Sequence, residues 1–219
     1  RLDPLTVRSG AFDAKGTVAY ASDALDLKLT GGYADVSKLT ADAKGAIGFE
    51  VSATGNPAAP DVSATISSDK LIAAGREITG LTFAASGKVD AANPAANVSI
   101  KGNVAGEALA GEAVLKTADG KRRIDGLSLT LGKNRISGDL ALDAALVPEG
   151  SLTLSLPDIG PFAALAFDKA DGEIAGTIVF SKSGGVPQVV VDAKAASLIR
   201  GDLSVKNSEV VATVVNYLD

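Results

Sequence analysis

Apolar and polar residues alternate in short stretches along nearly the whole chain, as in Leu25-Asp26-Leu27-Lys28-Leu29, Ile47-Gly48-Phe49-Glu50-Val51, Leu140-Ala141-Leu142-Asp143 and Leu152-Thr153-Leu154-Ser155-Leu156. A period of two sends every second side chain to the same face, so each stretch predicts a half-buried β-strand with one apolar and one polar side. Turn-forming residues punctuate the stretches: Gly31-Gly32, Gly55-Asn56-Pro57, Ala92-Asn93-Pro94, Asp119-Gly120, Gly132-Lys133-Asn134, Pro148-Glu149-Gly150 and Gly184-Gly185. Gly and Asn tolerate positive φ and Pro fixes φ, so these sites are expected to reverse the chain. Their spacing predicts about 12 to 16 strands.

Two segments refine this pattern. Ile78-Thr79-Gly80-Leu81-Thr82-Phe83 parallels Ile124-Asp125-Gly126-Leu127-Ser128-Leu129, and in both the apolar spacing slips from two to three across the glycine. A slip flips the exposed face unless an extra residue is absorbed, so the glycine is expected in a bulge or bend. From Pro157 to Asp168 the alternation stops, and Phe162, Leu165 and Ala166 fall at helical spacing behind Asp158 as a cap, with Pro161 tolerable in a first turn. This predicts one short helix near residues 159–167 that packs on the sheet edge or end, or plugs an apolar face.

Composition narrows the fold. The 219 residues are 46% hydrophobic but only 4% aromatic. Ala, Val, Leu and Ile line a surface without filling deep volume, which favours a thin or open sheet over a thick sandwich. A net charge of -5 and a pI near 4.8 argue against nucleic acid, whose phosphates call for concentrated Lys and Arg. No run approaches the roughly 18 apolar residues of a membrane-crossing helix. A chain that opens Arg1-Leu2-Asp3-Pro4 and closes amid strand-like sequence at Asn216-Tyr217-Leu218-Asp219 reads as one continuous β-rich segment, 1–219, of a much longer protein.

Catalytic chemistry has little to draw on. The chain contains no His and no Cys, which removes the usual general base near neutral pH and the commonest transition-metal ligands. The pairs Asp23 with Asp26 and Glu107 with Glu112 lie scattered among solvated strand positions rather than clustered. Gly31-Gly32-Tyr33-Ala34-Asp35 lacks a required glycine of a calcium-binding β-roll repeat and reads as a turn. Gly102, Gly106 and Gly111 have neither dinucleotide nor P-loop spacing and read as strand bends. Lys121-Arg122-Arg123 reads as a solvated hairpin arm. The expectation is a protein that is not an enzyme and holds neither metal nor cofactor.

From about Val62 to Asp219 the chain resembles the β-rich part of the TamB family, the AsmA-like inner-membrane subunit of the bacterial translocation and assembly module. The resemblance lies in the order of Ile124-Asp125-Gly126-Leu127-Ser128-Leu129, Ile136-Ser137-Gly138-Asp139-Leu140-Ala141-Leu142-Asp143, Gly150-Ser151-Leu152-Thr153-Leu154, Pro157-Asp158-Ile159, Leu165 and Asp171-Gly172-Glu173-Ile174-Ala175-Gly176. Residues 1–61 match in texture alone. The resemblance implies an all-β, long, curled, antiparallel-rich sheet, a trough with an apolar concave face. It also implies a periplasmic segment of a protein anchored in the bacterial inner membrane, supporting outer-membrane assembly by shielding or conducting phospholipid acyl chains or nascent outer-membrane protein strands. An outer-membrane barrel protein is then the partner, met outside this segment.

A lipid chain leaving its bilayer loses about 0.8 kcal/mol per CH2, which a continuous aliphatic surface offsets. The candidate lining residues are Leu25, Leu27, Leu29, Phe49, Phe83, Leu127, Leu129, Leu140, Leu142, Leu152, Leu154, Ile178, Phe180, Val189 and Val191. The alternative is that these side chains pack a purely structural β-solenoid or passenger-type surface scaffold. An outer-membrane barrel ranks lower, because three Tyr and no Trp cannot build aromatic girdles.

Overall fold

The computed structural model of the protein describes residues 2–41, 43–73, 75–90, 93–165 and 170–216. These form an all-β fold in which fifteen antiparallel strands belong to one sheet that does not close. The alternation seen in the sequence accounts for the strands, and hairpin turns between sequence neighbours account for the order. The chain divides into two compact units, Arg1–Ala110 and Gly111–Asp219.

In the first unit the strands are β1 (Leu2–Ser9), β2 (Phe12–Ala21), β3 (Ala24–Tyr33), β4 (Ala43–Gly45), β5 (Ile47–Gly55), β6 (Asp61–Ala73), β7 (Arg76–Lys88) and β8 (Ala95–Val104). The sheet order is β1-β2-β3-β5-β6-β7-β8, with the short β4 beside β6. A 3-10 turn, Val36–Lys38, interrupts the meander between β3 and β4, with Asp35 accepting the Ser37 N–H at its start. β9 (Glu107–Ala118) straddles the two units. The second unit continues with β10 (Lys121–Leu131), β11 (Asn134–Leu142), β12 (Pro148–Leu156), β13 (Asp171–Ser183), β14 (Val186–Arg200) and β15 (Leu203–Val215), in chain order.

Both glycines of the internal repeat sit in bulges. Between Thr79 and Thr82 the pairing of β7 with β8 gains one residue, and between Ile124 and Leu127 the pairing of β10 with β11 does the same. Gly80 and Gly126 have φ of 58° and 62°, the left-handed region that costs glycine nothing. The extra residue lets Ile78, Leu81 and Phe83 keep one face, and likewise Ile124, Leu127 and Leu129. The three-residue slip is therefore face-preserving.

Two expected turns are strand interior. Gly31-Gly32 lies inside β3, because Gly31 faces the Phe49 ring and the Asp13 carbonyl of β2 so closely that a Cβ would collide with both. Pro148-Glu149-Gly150 opens β12, and the reversal falls instead at residues 143–147, where the Asp143 carboxylate accepts the N–H groups of Ala145 at 2.9 Å and Val147 at 3.0 Å. That Asx-type turn does the work assigned to the proline. Gly106 belongs to the β8–β9 turn rather than to a strand bend. The Asp119-Gly120, Gly132-Lys133 and Gly184-Gly185 reversals stand as expected.

The short helix is α1, Gly160–Leu165. Asp158 caps it, accepting the Gly160 N–H at 2.9 Å. Of the expected helical positions, Ala166 and Phe167 lie outside the described residues, as does Ala92 of the expected β7–β8 turn and Tyr217 to Asp219.

The core is thin. Fully or nearly buried apolar side chains are few: Ala14, Val36, Ala53, Ile78, Val104 and Leu109 in and near the first unit, and Leu131, Val147, Leu156 and Ile159 in the second. The surface totals 12730 Å², whereas two compact bodies of half the protein's mass would together expose about 11,000 Å².

Candidate functional site

In an antiparallel ladder, directly opposed residues project on the same side, so the registers trace each face across the strands. In the first unit one row runs Tyr20–Leu25–Gly55, the next Val18–Leu27–Ala53–Val62, and the next Gly16–Leu29–Val51–Ala64. A further row runs Ala14–Gly31–Phe49–Ile66–Phe83–Ile100. The interleaved rows, such as Thr17–Lys28–Ser52–Ser63–Ser86, are polar. Leu25, Leu27, Leu29, Phe49 and Phe83 thus share one apolar face.

The second unit repeats the arrangement over six strands. One row reads Leu127–Gly138–Leu152–Ile178–Val191–Ala212, and its neighbours read Leu129–Ile136–Leu154–Gly176–Ala193–Val210 and Ile124–Leu140–Gly150–Phe180–Val189–Val214, with Leu142 beside Pro148 at the end. Between them run Ser128–Ser137–Thr153–Thr177–Asp192–Val211, Asp139–Ser151–Val179–Val190–Thr213 and Thr130–Arg135–Ser155–Ala175–Lys194–Glu209, mostly polar with Val179, Val190 and Val211 as apolar members. The ten candidates in this unit therefore occupy one face as well. Ile136, Ile174, Ile66 and Ile100 belong to the same faces and carry the same alternation, yet the sequence reading left them out.

These side chains are neither buried nor fully exposed. Phe83 is 38% and Ile66 43% exposed, and Leu25, Leu27, Leu29, Leu140, Leu142, Leu152, Leu154, Ile178, Phe180, Val189 and Val191 are all half-buried. Lateral packing within the sheet hides their flanks. A contiguous, partly exposed apolar surface marks a binding surface more often than an inert one.

One end of each apolar face is closed. In the first unit the rings of Phe12 and Phe49 stack at 5.8 Å, and Val36, from the crossing segment after β3, is buried. In the second unit the paired positions Leu131–Asn134 and Leu156–Ile174 lie at an end that carries buried residues. Leu131 is 0% exposed, and Leu156, Ile159 and Asn134 are also buried. The Asn134 side chain ties the α1 segment down: its Oδ1 accepts the Asp158 N–H at 3.0 Å and its Nδ2 donates to the Leu131 carbonyl at 3.0 Å. Ile159 N–H adds a bond to the Gly172 carbonyl at 2.9 Å. The sequence reading counted Asn134 in the Gly132-Lys133-Asn134 turn; it is instead the first residue of β11, and nothing in the periodicity marked its tie to the α1 segment.

Charges gather at the opposite strand ends and on the polar face. Lys182 pairs with Asp143 and lies 3.8 Å from Glu149, which Lys121 reaches at 2.6 Å. Lys182 beside Asp143, together with the Val147 and Ala145 N–H groups, holds the Asp143 carboxyl below the usual range. Asp125 is lowered in the same direction by Lys116 and, at 3.1 Å, Arg123. The Ser37 hydroxyl and N–H lower Asp35. These carboxylates are ionised partners of neighbouring cations and amides, fixing turns and strand ends. Asp23 accepts the Tyr20 hydroxyl at 2.9 Å in the β2–β3 turn, and Glu107 and Glu112 are exposed on β9. Among the described residues no three of His, Cys, Asp and Glu converge as a metal site, and no helix is long and apolar enough to cross a membrane.

Compared with known protein families, curated proteins and solved structures, the chain matches none.

Proposed function

We propose that this protein is a periplasmic section of an intermembrane bridge of the TamB kind, whose apolar sheet face shields lipid acyl chains, or nascent outer-membrane protein strands, in support of outer-membrane assembly. The observation that carries this reading is the coincidence of all fifteen candidate residues on one face within their own unit, none of them fully buried. On this reading the inner-membrane anchor and the contact with a barrel-protein partner belong to other parts of a longer protein.

The dimensions suit an acyl chain. Strands lie about 4.8 Å apart, so a row crossing six of them spans about 24 Å, whereas one leaflet of a bilayer's hydrocarbon core is about 15 Å deep. With about 0.8 kcal/mol recovered per shielded CH2, ten methylenes against such a row offset about 8 kcal/mol of the cost of leaving the bilayer. The polar face supplies solvation on the other side.

A purely structural scaffold is the competing reading. A solenoid coils parallel strands around a dry interior; the antiparallel meander and its half-exposed Leu and Phe side chains support the lipid reading over it.

Photo-crosslinking residues placed at Leu27 and Leu154, with Lys28 and Thr153 as controls, test the proposal in the presence of phospholipid vesicles. Lipid adducts confined to the first two positions support it. Adducts at neither pair, or equally at both, would remove the apolar face as a lipid surface.

A further inference from the structure

The tripeptide Lys121-Arg122-Arg123 opens β10, and strand alternation divides it between the two faces. Lys121 and Arg123 belong to the polar side, where each finds a carboxylate: Lys121 reaches Glu149 at 2.6 Å and Arg123 reaches Asp125 at 3.1 Å. Arg122 stands opposite Leu142, two residues from the Ile124–Leu140 pair, and so occupies an apolar-face position. It is exposed and forms no ion pair among the described residues. The alternation calls for an apolar side chain here, and β10 places a cation.

The end of the face at which this cation stands is the one that α1 does not close. Leu131 and Asn134, at the far end of the β10–β11 hairpin, are buried and tied to the α1 segment. Beyond the row of Ile124 and Phe180, the next positions on this face are Arg122, Leu142, Pro148, Lys182 and Pro187. Two of these are cations and none is an acid. Lys182 is already paired with Asp143, so Arg122 is the cation left to take a ligand. Charge and apolar surface then follow one another as they do in an amphiphile: the aliphatic row that includes Ile124 lies about 7 Å along the strand from Arg122 and extends about 24 Å across the sheet. A guanidinium meets two phosphate oxygens at once with parallel N–H bonds.

We propose that Arg122 binds the phosphate of a phospholipid headgroup whose acyl chains lie on the apolar rows that follow Ile124, so that the lipid is held in one direction, headgroup away from the α1 end. The inference rests on the acyl-binding reading of this face and adds to it the headgroup contact and the direction.

Isothermal titration calorimetry of this chain tests the proposal with three probes: a short-chain phosphatidylglycerol kept below its micelle concentration, the diacylglycerol with the same chains, and inorganic phosphate. The variants are Arg122→Gln, Arg122→Lys and, as a control that loses the same charge from the polar face, Arg123→Gln, each verified as folded by circular dichroism. Arg122→Gln is expected to bind the phospholipid about tenfold more weakly than the parent and the diacylglycerol equally well. Arg122→Lys is expected to recover part of the affinity, since it keeps the charge and loses the fork, and Arg123→Gln to bind as the parent does. Phospholipid affinity unchanged in Arg122→Gln, reduced as much in Arg123→Gln, or reduced together with that for diacylglycerol would overturn the headgroup contact while leaving acyl binding in place. Inorganic phosphate bound as tightly as the phospholipid would replace it with a site for free phosphate. A parent chain that binds neither lipid would remove the acyl-binding reading itself, and this inference with it.

Discussion

Gly126 donates its backbone N–H to the Asp139 carboxylate at 2.7 Å, and Asp139 is the β11 residue that faces the bulge where β10 carries its extra residue. The bond gives the bulged amide a partner that the regular ladder no longer supplies. An added Cβ at Gly126 would meet nothing within 4 Å, so the glycine is required by its left-handed φ and not by space. Gly126→Ala is expected to destabilise the chain by about 1 to 2 kcal/mol, and Asp139→Ala by about 1 kcal/mol. Urea unfolding measures both, and unchanged midpoints would contradict the role assigned to the bulge.

The Asn134 side chain is the hinge pin of the closed end. Asn134→Ala leaves the Asp158 N–H and the Leu131 carbonyl without their partner and is expected to cost about 1 to 3 kcal/mol. Hydrogen exchange locates the loss: the amides of Asp158 and Ile159 should exchange faster, while those of β14 and β15 stay as they were. Loss of protection spread evenly over the sheet would contradict a local tie.

Acid sensitivity follows from the lowered carboxyls of Asp143, Asp125 and Asp35. In each the folded-state value lies below that of the unfolded chain, about 3.9, so the folded state favours the ionised form. The stabilisation is complete above the unfolded-state value and is lost as pH falls through the lower folded-state value. Denaturation midpoints should therefore hold at neutral pH and fall as the pH drops below about 4, and Asp143→Asn should reduce that drop. An equal drop in the variant would show that the Lys182 pairing does not contribute.

A charge placed on the apolar faces separates open surface from sealed core. Leu131 is fully buried, so Leu131→Arg strands an unpaired cation and is expected to cost about 3 to 5 kcal/mol, enough to unfold the segment. Leu154 and Leu142 are half-buried, and an arginine there can carry its guanidinium to water. Leu154→Arg and Leu142→Arg should remain folded by circular dichroism. Unfolding of both would mean that this face is a core.

Most of this architecture is legible in period-two alternation because the strands follow one another as a meander, in which sequence neighbours pair and little tertiary context overrides the local pattern. Leu152, Leu154 and Leu156 take the same side, and the glycine slip at Gly80 and Gly126 becomes a bulge at both places. The closed ends were less legible. Val36 is buried by a 3-10 crossing with no periodicity of its own, and Asn134 earns its place through two backbone partners distant in sequence or across a turn. Gly31 shows why turn chemistry misled: glycine marks close approach of strand and ring as well as reversal of the chain.

Native mass spectrometry of the purified chain tests the central claim, that the apolar face carries acyl chains. The account predicts phospholipid retained on the folded parent chain, taken up again from vesicles after delipidation, and lost in the folded Leu154→Arg variant. A folded parent chain that neither retains nor takes up phospholipid, or a Leu154→Arg variant that binds it equally well, would contradict the account.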